Sequence, residues 1–267
     1  MSEETISYIH SFNSGDLLTV LPGIQNQYKR TGKGAVVYQR IDFLPDYDHK
    51  NPHPIKNEKG QQVSMNKQTF ALMKPLLESQ EYIHGFEIWD GQHIDFDLED
   101  VRIKNKEVLS GGLIHYWPML IIPELNCDLS VPWLKVEPIE SNKICINFTE
   151  RYRRNKIHYL FLSEHQKDLV FLGLPHEHKE FCEQWGMNIE YKQVEDFLEL
   201  AKIIAGCRFF MGNQSFCWHI SDALKKKRIL EVCYEFPNTF PTGANGAAFL
   251  KQPQLEYLFN KYLKETK

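Results

Sequence analysis

The chain has 267 residues, 42% of them hydrophobic and 25% charged, which is typical of a folded globular protein rather than a disordered one. A formal net charge of −4 provides no basic field that would attract nucleic acid. No apolar run approaches the ~20 residues that a membrane-spanning helix needs, and the opening MSEETISYIH lacks the basic start of a signal peptide. The six cysteines form no C-x-x-C pair, so neither a zinc site nor a disulfide framework is expected. These features predict a cytoplasmic protein without a transmembrane segment.

The N-terminal half alternates strand and helix patterns. Strands are predicted in TISYIHSF and AVVYQRI, on either side of a helix, LLTVLPGIQNQYKRTG, that ends at Gly32. Because a strand–helix–strand connection of this kind joins parallel strands, a parallel sheet is expected. A polar loop over residues 45–64, a helix in NKQTFALMKPLLESQEYI and a strand in FEIWDG follow, and residues 93–110 give only a weak strand signal.

The middle of the chain marks the change from one domain to the next. The apolar stretch LIHYWPMLIIPEL is interpreted as core or as an interdomain surface, in preference to a ligand groove. The stretch VPWLKVEPIESN contains two prolines and is predicted to be the interdomain linker. We therefore place an N-terminal domain at residues 1–136 and a C-terminal domain at residues 137–267.

The C-terminal half shows the α/β alternation more clearly. Strands are predicted in KICINFT, DLVFLGL, MNIEYKQV, RFFMG and, as the last strand, RILEVC. Helices are predicted in HEHKEFCEQWG, EDFLELAKIIAGC and QSFCWHISDALKKK. The later stretch PTGANG has the composition of a flexible loop. This alternation predicts a doubly wound α/β fold of the Rossmann type.

The turn after RFFMG is the first candidate site. The strand ends at Gly212, and Asn213, Gln214 and Ser215 are predicted to open the next helix. Ligands of parallel α/β sheets collect beyond the carboxyl ends of strands, and the free N–H groups and dipole of a helix N-terminus favour phosphate. His219 follows Ser215 by one helical turn and could reach the same phosphate. Because Asn and Ser are also ordinary N-cap residues, a plain helix start is the alternative.

Further candidates follow other strands. Arg151, Arg153 and Arg154 come just after KICINFT, where guanidinium groups suit phosphate binding but also an ordinary solvated loop. Glu177 follows DLVFLGL, where a carboxylate can accept hydrogen bonds from ribose hydroxyls or simply favour the first turn of a helix. Asp16 lies at the first strand-to-helix turn, as a general base if it faces a cleft, or as an N-cap.

These positions together resemble the ADP-heptose:lipopolysaccharide heptosyltransferases. The stretch FNSGDLLTVLPGIQNQYKR is similar to the opening strand, Gly-Asp pair and apolar helix of that family. GNQSFCWHISDALKKKRILEV resembles its Asp-Thr-Gly-x-x-His element, FLGLPHEH its Gly-Gly-x-x-Glu element, and VPWLKV the segment that leads into its linker. The resemblance is scattered over both halves of the chain.

The resemblance implies two Rossmann-like domains facing across a cleft, the GT-B arrangement. It implies inverting transfer of a sugar from a nucleotide-diphosphate donor, on the C-terminal domain, to a carbohydrate or other hydroxyl acceptor on the N-terminal domain, without metal or other cofactor. Asp16 matches the family's base, Ser215 and His219 match its diphosphate ligands, Glu177 matches its ribose ligand, and Arg151 or Arg154 loosely matches a basic residue. The full set of predicted site residues is Asn13, Ser14, Gly15, Asp16, Thr149, Arg151, Arg154, Glu177, Gly212, Asn213, Gln214, Ser215 and His219.

One departure from the family pattern and two alternative functions remain open. Gln214-Ser215-Phe216 stands where the family has Asp-Thr-Gly, so its ADP-heptose donor and lipopolysaccharide acceptor are not carried over. A GT-B-like protein that binds a nucleotide or glycan without chemistry is one alternative. An epimerase of the two-Rossmann type is another, with candidate groups at His10, Glu150 and His158. After RILEVC, Asn238 and Thr242 could contact a donor or belong to an ordinary surface loop.

Overall fold

The computed structural model describes residues 4–44, 54–101, 113–153 and 156–266. The chain forms two compact units. The first unit comprises Met1–Asp128 with Asp196–Leu198, and the second comprises Leu129–Glu195 with Glu199–Lys267. The predicted linker, residues 131–142, has no regular secondary structure, and its Trp133 and Leu134 are buried in the second unit.

The first unit is a small parallel α/β domain. Its elements are β1 (Thr5–His10), α1 (Ser14–Thr31), β2 (Gly34–Gln39), α2 (Lys67–Glu78), β3 (Ile83–Ile88), β4 (Phe96–Asp97) and α3 (Tyr116–Ile121), with 3-10 turns at Leu98–Val101 and Pro123–Leu125. The strands form one four-stranded sheet in the order β3-β2-β1-β4, and every pair is parallel. The predicted β–α–β start and the C-cap at Gly32 are confirmed.

The helix α1 is fixed to its sheet by one apolar stripe. Leu17, Leu21 and Ile24 recur at helical spacing and are almost wholly buried, whereas the last turn carries the basic residues Lys29 and Arg30. This orientation places the first turn of α1 at the carboxyl end of β1, where β2 and β4 lie on either side. Polar residues of that turn therefore lie beyond the carboxyl ends of the strands.

The second unit is a larger parallel α/β domain. Its elements are β5 (Ile144–Asn147), β6 (Leu169–Phe171), α4 (Pro175–Trp185), β7 (Glu190–Tyr191), α5 (Phe197–Gly206), β8 (Phe210–Asn213), α6 (Phe216–Ala223), β9 (Arg228–Glu231), β10 (Gly246–Phe249) and α7 (Gln252–Glu265), with a 3-10 helix at Leu160–Asp168. The six strands run parallel in the order β10-β9-β8-β5-β6-β7. In chain order this is the 3-2-1-4-5-6 arrangement of the doubly wound Rossmann fold, so that prediction is confirmed.

Two features of the second unit were not predicted. RILEVC is not the last strand, because β10 and α7 follow it and pack Phe249, Leu255 and Phe259 into the core. The strand β10 reads GAAF, and glycine and alanine carry almost no strand signal. In the crossover from β5 to β6, the described residues form no α-helix and contain instead an irregular stretch and the 3-10 helix.

A buried ion pair fixes the loop that leads into β10. Arg228 and Asp222 are both fully buried, and the guanidinium Nε lies 2.7 Å from Asp222 Oδ1. Thr242 Oγ1 donates to Asp222 Oδ2 at 2.6 Å, and Lys225 Nζ donates to Thr242 Oγ1 at 2.6 Å. Thr242 is thus held by protein groups, and its contact with a nucleotide-sugar stays a prediction.

Removal of this carboxylate should destabilise the protein strongly. Asp222→Ala leaves the buried guanidinium of Arg228 without its counter-charge, and we expect a loss of roughly 3–5 kcal/mol in the free energy of unfolding. Urea unfolding checks this value. The control is Glu183→Ala, which breaks an exposed i,i+4 pair with Lys179 and should cost no more than about 0.5 kcal/mol. Equal losses for the two variants would contradict the assignment.

Candidate functional site

The centre of the second sheet is the place where its connections diverge. The strands β5 and β8 are neighbours, and the chain leaves them toward opposite edges of the sheet. In open α/β sheets such a switch point leaves a crevice beyond the carboxyl ends of the two strands, where ligands bind. Asn147, the last residue of β5, pairs with Gly212 of β8. The predicted turn at Gly212–Ser215 therefore lies at the switch point.

Gly212 allows the two strands to meet there. A Cβ atom at this position would lie 2.4 Å from the carbonyl oxygen of Asn147, which is too close for any real side chain. The strand β8 extends one residue further than predicted, to Asn213, and α6 begins at Phe216 rather than at Asn213. Gly212 is itself buried, so it contributes the close approach of β8 to β5.

Asn213 holds the loop that follows β5. Its side chain is fully buried, its Oδ1 accepts from the backbone N–H of Thr149 at 3.0 Å, and its Nδ2 donates to the carbonyl oxygens of Thr149 and Arg151. Both Asn213 and Thr149 therefore shape the site through the loop. The amide of Asn213 is already engaged by protein groups, so its contribution to a ligand is the position of that loop.

Ser215 is the N-cap of α6. Its Oγ accepts from the backbone N–H of Trp218 at 3.2 Å, so the alternative interpretation as a helix cap is correct. A hydroxyl that accepts one hydrogen bond still has its own proton to donate. The first N–H groups of α6 have no partner within the helix, and the helix dipole adds partial positive charge. His219 lies one turn further on and is 9% exposed.

Gln214 ties the loop after β9 to this turn. Its Nε2 donates to the carbonyl oxygen of Phe236 at 3.2 Å and to Oδ1 of Asn238 at 2.9 Å. Its Oε1 is buried and has no hydrogen-bond partner among the described residues. The structure thus brings Asn238, but not Thr242, to the turn.

Glu177 lies at the start of α4, the helix that follows β6. The strand β6 is the neighbour of β5 on the side away from β8. Its Oε2 accepts from the backbone N–H of Leu174 at 3.0 Å, and burial raises the pKa of the carboxyl above its ordinary value. Gly173 adopts φ 131°, and a Cβ there would lie 2.5 Å from Nδ2 of Asn147 and 2.9 Å from the carboxylate of Glu177. Glycine is therefore required for Glu177 to approach the end of β5.

The arginine cluster divides into different environments. The guanidinium of Arg151 lies over the ring of Tyr152, 5.2 Å from its centroid. Arg153 Nε lies 3.2 Å from Oε2 of Glu231, a fully buried carboxylate that also accepts from the hydroxyl of Tyr159 at 2.7 Å. Arg154 lies outside the described residues. Of the two arginines in the predicted site, Arg151 and Arg154, the structure therefore describes Arg151.

A cavity of about 360 Å³ lies between the loop after β5 and α4, at the low end of the volumes of ligand pockets. A hydrogen bond with Glu150 raises the pKa of Glu180 at this cavity. Glu150, Arg153, His158 and Glu177 are candidates from the sequence, whereas the aromatic wall is not predicted because only folding brings α4 to this loop. The lining residues are Phe148, Glu150, Arg153, Ile157, His158, Glu177, Glu180, Phe181, Gln184 and Trp185.

The first unit has its own group of polar side chains at a switch point. Asn13 is the N-cap of α1, and Ser14, Gly15 and Asp16 form its first turn, so the alternative of Asp16 as N-cap is wrong. Asp16 lines a cavity of about 10 Å³, enough for about one water molecule. The other lining residues are His10, Phe12, Thr19, Val20, Leu98, Ile114, Trp117 and Pro118.

Within the ranges that the structure describes, no three His, Cys, Asp or Glu side chains are arranged to hold a metal ion. No helix in the same ranges is long and apolar enough to cross a membrane.

Comparison with known proteins finds solved structures of similar fold. No family model matches the sequence, and no curated protein matches it. The E. coli ADP-heptose lps heptosyltransferase II is similar with a TM-score of 0.64 at 14% identity, covering 98% of this chain and 99% of the other. The E. coli heptosyltransferase WaaC with ADP-2-deoxy-2-fluoro heptose gives 0.60 at 11%, covering 99% and 100%. A glycosyl transferase family 9 protein from Veillonella parvula gives 0.57 at 10%, covering 100% and 91%.

These similarities confirm the predicted fold class. Two Rossmann-like α/β units in one chain match heptosyltransferase structures over nearly the whole length of both chains. The resemblance noted in the sequence is therefore found again in the backbone. At such low identity the likeness extends to the fold, and the chemistry has to be argued from the residues.

Because folding raises the pKa of Glu177, the variant Glu177→Gln should gain stability relative to wild type as the pH rises. A carboxyl whose pKa is raised by folding stabilises the protein fully below its unfolded pKa, and this contribution is lost as the pH rises through the folded pKa. Glu177→Gln keeps an acceptor for the Leu174 N–H but cannot ionise. We expect the variant's melting temperature, relative to wild type, to increase as the pH rises above about 4.3, the ordinary pKa of a glutamate. Parallel curves, as for the exposed control Glu183→Gln, would contradict this.

Proposed function

We propose that this chain is a glycosyltransferase that moves a sugar from a nucleotide-diphosphate donor to a hydroxyl acceptor, with inversion and without a metal ion. The observation that carries the proposal is the Ser215-capped N-terminus of α6 at the switch point of the second sheet. Fixed N–H groups there suit a diphosphate, both as bound donor and as leaving group. The similarity to heptosyltransferases, one of them holding an ADP-sugar analogue, supports the same choice.

The donor site is proposed to span the carboxyl edge of the second sheet. The diphosphate lies at the first turn of α6, where Ser215 and His219 contact it. The ribose lies toward Glu177, which lines the cavity and whose Oε2 accepts from the Leu174 N–H. Arg151, in the loop that Asn213 holds, supplies positive charge to the phosphates.

The acceptor side is proposed to be the first turn of α1. The carboxylate of Asp16 drives removal of the acceptor hydroxyl proton as the oxygen attacks the anomeric carbon, and the bond to the diphosphate breaks with its electron pair going to the leaving group. A cavity for about one oxygen atom beside Asp16 supports this assignment. Negative charge that develops on the diphosphate is stabilised by the N-terminus of α6.

Nucleotide binding is the first test of this function. In a thermal-shift screen over nucleoside diphosphates and nucleotide-sugars, a cognate ligand at ~100 times its Kd should add about 2.7 kcal/mol of stability. Ser215→Asp keeps a cap acceptor but adds a negative charge at the diphosphate, so we expect stability near wild type and at least about tenfold weaker binding. The control is Asn66→Ala, because Asn66 is the N-cap of α2 and its Oδ1 accepts from the Thr69 N–H at 2.8 Å. This variant should leave nucleotide binding unchanged. Unchanged binding by Ser215→Asp would contradict the donor site.

Asp16→Asn tests the chemistry separately. The amide cannot take a proton, so turnover should fall by about 10²–10⁴-fold while donor affinity stays near wild type. Release of nucleoside diphosphate, followed with and without acceptor glycans, measures the effect. If wild type binds the nucleotide but never releases diphosphate, the chain is a binding protein. If Asp16→Asn retains full turnover, Asp16 is not the proton-accepting group.

A further inference from the structure

The larger cavity of the second unit is bounded by one face of α4. Glu177, Glu180, Phe181, Gln184 and Trp185 recur along this helix at a spacing of three to four residues, and all of them line the cavity. The other lining residues belong to the crossover from β5 to β6, where the described residues form an irregular stretch and a 3-10 helix. The cavity of about 360 Å³ therefore has room for a planar ring system beside the helix that carries Glu177.

The inner part of the cavity is apolar and aromatic. Phe148, Ile157 and Phe181 are buried, and the rings of Phe148 and Phe181 stack with 5.1 Å between their centroids. Trp185 is half-buried, and the edge contact between its ring and that of His158 has a centroid distance of 5.9 Å. Aromatic side chains of this kind are the usual stacking partners of nucleobases.

The guanidinium of Arg153 adds a planar group whose charge is already neutralised. Its Nε lies 3.2 Å from the buried carboxylate of Glu231, and its Cζ lies 5.0 Å from the ring centroid of Phe148 and 5.2 Å from that of Tyr159. A guanidinium plane stacks on nucleobases as it does on aromatic rings. Arg153 therefore offers the cavity a fixed plane, whereas its positive charge is engaged by Glu231.

Carboxylates determine the charge of the cavity. Glu150, Glu177 and Glu180 line it, and a hydrogen bond between Glu150 and Glu180 raises the pKa of Glu180. The exposed His176 has its Nε2 3.9 Å from Oε1 of Glu150, so it offsets this charge only when it is protonated. Because ionised carboxylates only accept hydrogen bonds, they repel a phosphate here and favour the N–H groups of a neutral ring.

We propose that this cavity binds the base of the donor nucleotide, and that the base is guanine. The inference rests on the proposed function, which places the ribose at Glu177 and the diphosphate at α6. Guanine carries two neighbouring donors, N1–H and the exocyclic amino group at C2, which carboxylate oxygens accept side by side. Adenine and cytosine have a donor next to an acceptor on the same edge, and uracil has one donor between two acceptors. The carboxylates of Glu150 and Glu180 therefore favour guanine.

A series of five nucleotides tests the choice of base on the wild-type protein. GDP, inosine diphosphate, ADP, CDP and UDP share the ribose and the diphosphate and differ in the base. Since inosine diphosphate lacks only the 2-amino group of GDP, we expect its Kd to be about tenfold higher, and those of ADP, CDP and UDP to be at least as high. Isothermal titration calorimetry at one pH and one salt concentration measures the five constants. A Kd for ADP, CDP or UDP equal to that for GDP would overturn the assignment of guanine.

Two variants test whether the base lies in the cavity. Glu150→Gln and Glu180→Gln each replace an acceptor oxygen by an amide donor on an exposed side chain, so the melting temperature should stay near that of wild type. We expect each to bind GDP about tenfold more weakly and to lose most of the preference for GDP over inosine diphosphate, because the carboxylate and the 2-amino group are coupled. The control is Glu183→Gln, on the same helix but outside the cavity lining, which should keep both values.

The outcomes separate this inference from the proposed function. Ser215→Asp should weaken GDP and inosine diphosphate by the same factor, because the two ligands share the diphosphate. If wild type binds no nucleoside diphosphate, the proposed donor site fails, and the base site fails with it. If wild type prefers GDP but both glutamine variants keep the wild-type ratio of the two constants, the donor site stands and only the placement of the base in this cavity is overturned.

Discussion

The close approach of two parallel strands at the centre of the second sheet is the constraint on which the candidate site depends. Gly212 has no side chain to hold β8 away from β5, so the carboxyl ends of both strands meet at one edge. Asn213 then bonds to the loop after β5, Gln214 bonds to the loop after β9, and Ser215 begins α6. A methyl group at Gly212 would lie 2.4 Å from the carbonyl oxygen of Asn147, so the approach of the two strands on which these contacts are built depends on glycine.

Much of the fold was readable from the sequence, and the failures have physical causes. Strands buried on both faces leave short apolar runs, and glycine marks helix ends at Gly32 and Gly186, so the alternation was visible. The strand β10 escaped notice because GAAF has little intrinsic strand preference and is held by its partner β9. The boundary of α6 was misjudged because Asn213 could equally end a strand or cap a helix.

The candidate site was predictable in position more than in detail. The turns at Asp16 and Ser215 follow strands, and a parallel sheet places such turns at one edge. The roles of individual side chains depend on partners distant in sequence, such as Arg153 with Glu231 or His10 with Gln39. Local patterns contain no information about these pairs. They were therefore available only from the folded chain.

The helix α6 joins the candidate site to the C-terminal end of the second unit. It has eight residues, about 12 Å of helix, with the Ser215 cap at one end and Asp222 near the other. Asp222 holds Arg228 and Thr242, and the chain enters β10 a few residues later. A helix of two turns has little stability of its own and depends on its contacts at both ends. We therefore expect local unfolding of α6 to weaken both the turn at Ser215 and the loop before β10, as in a single cooperative unit.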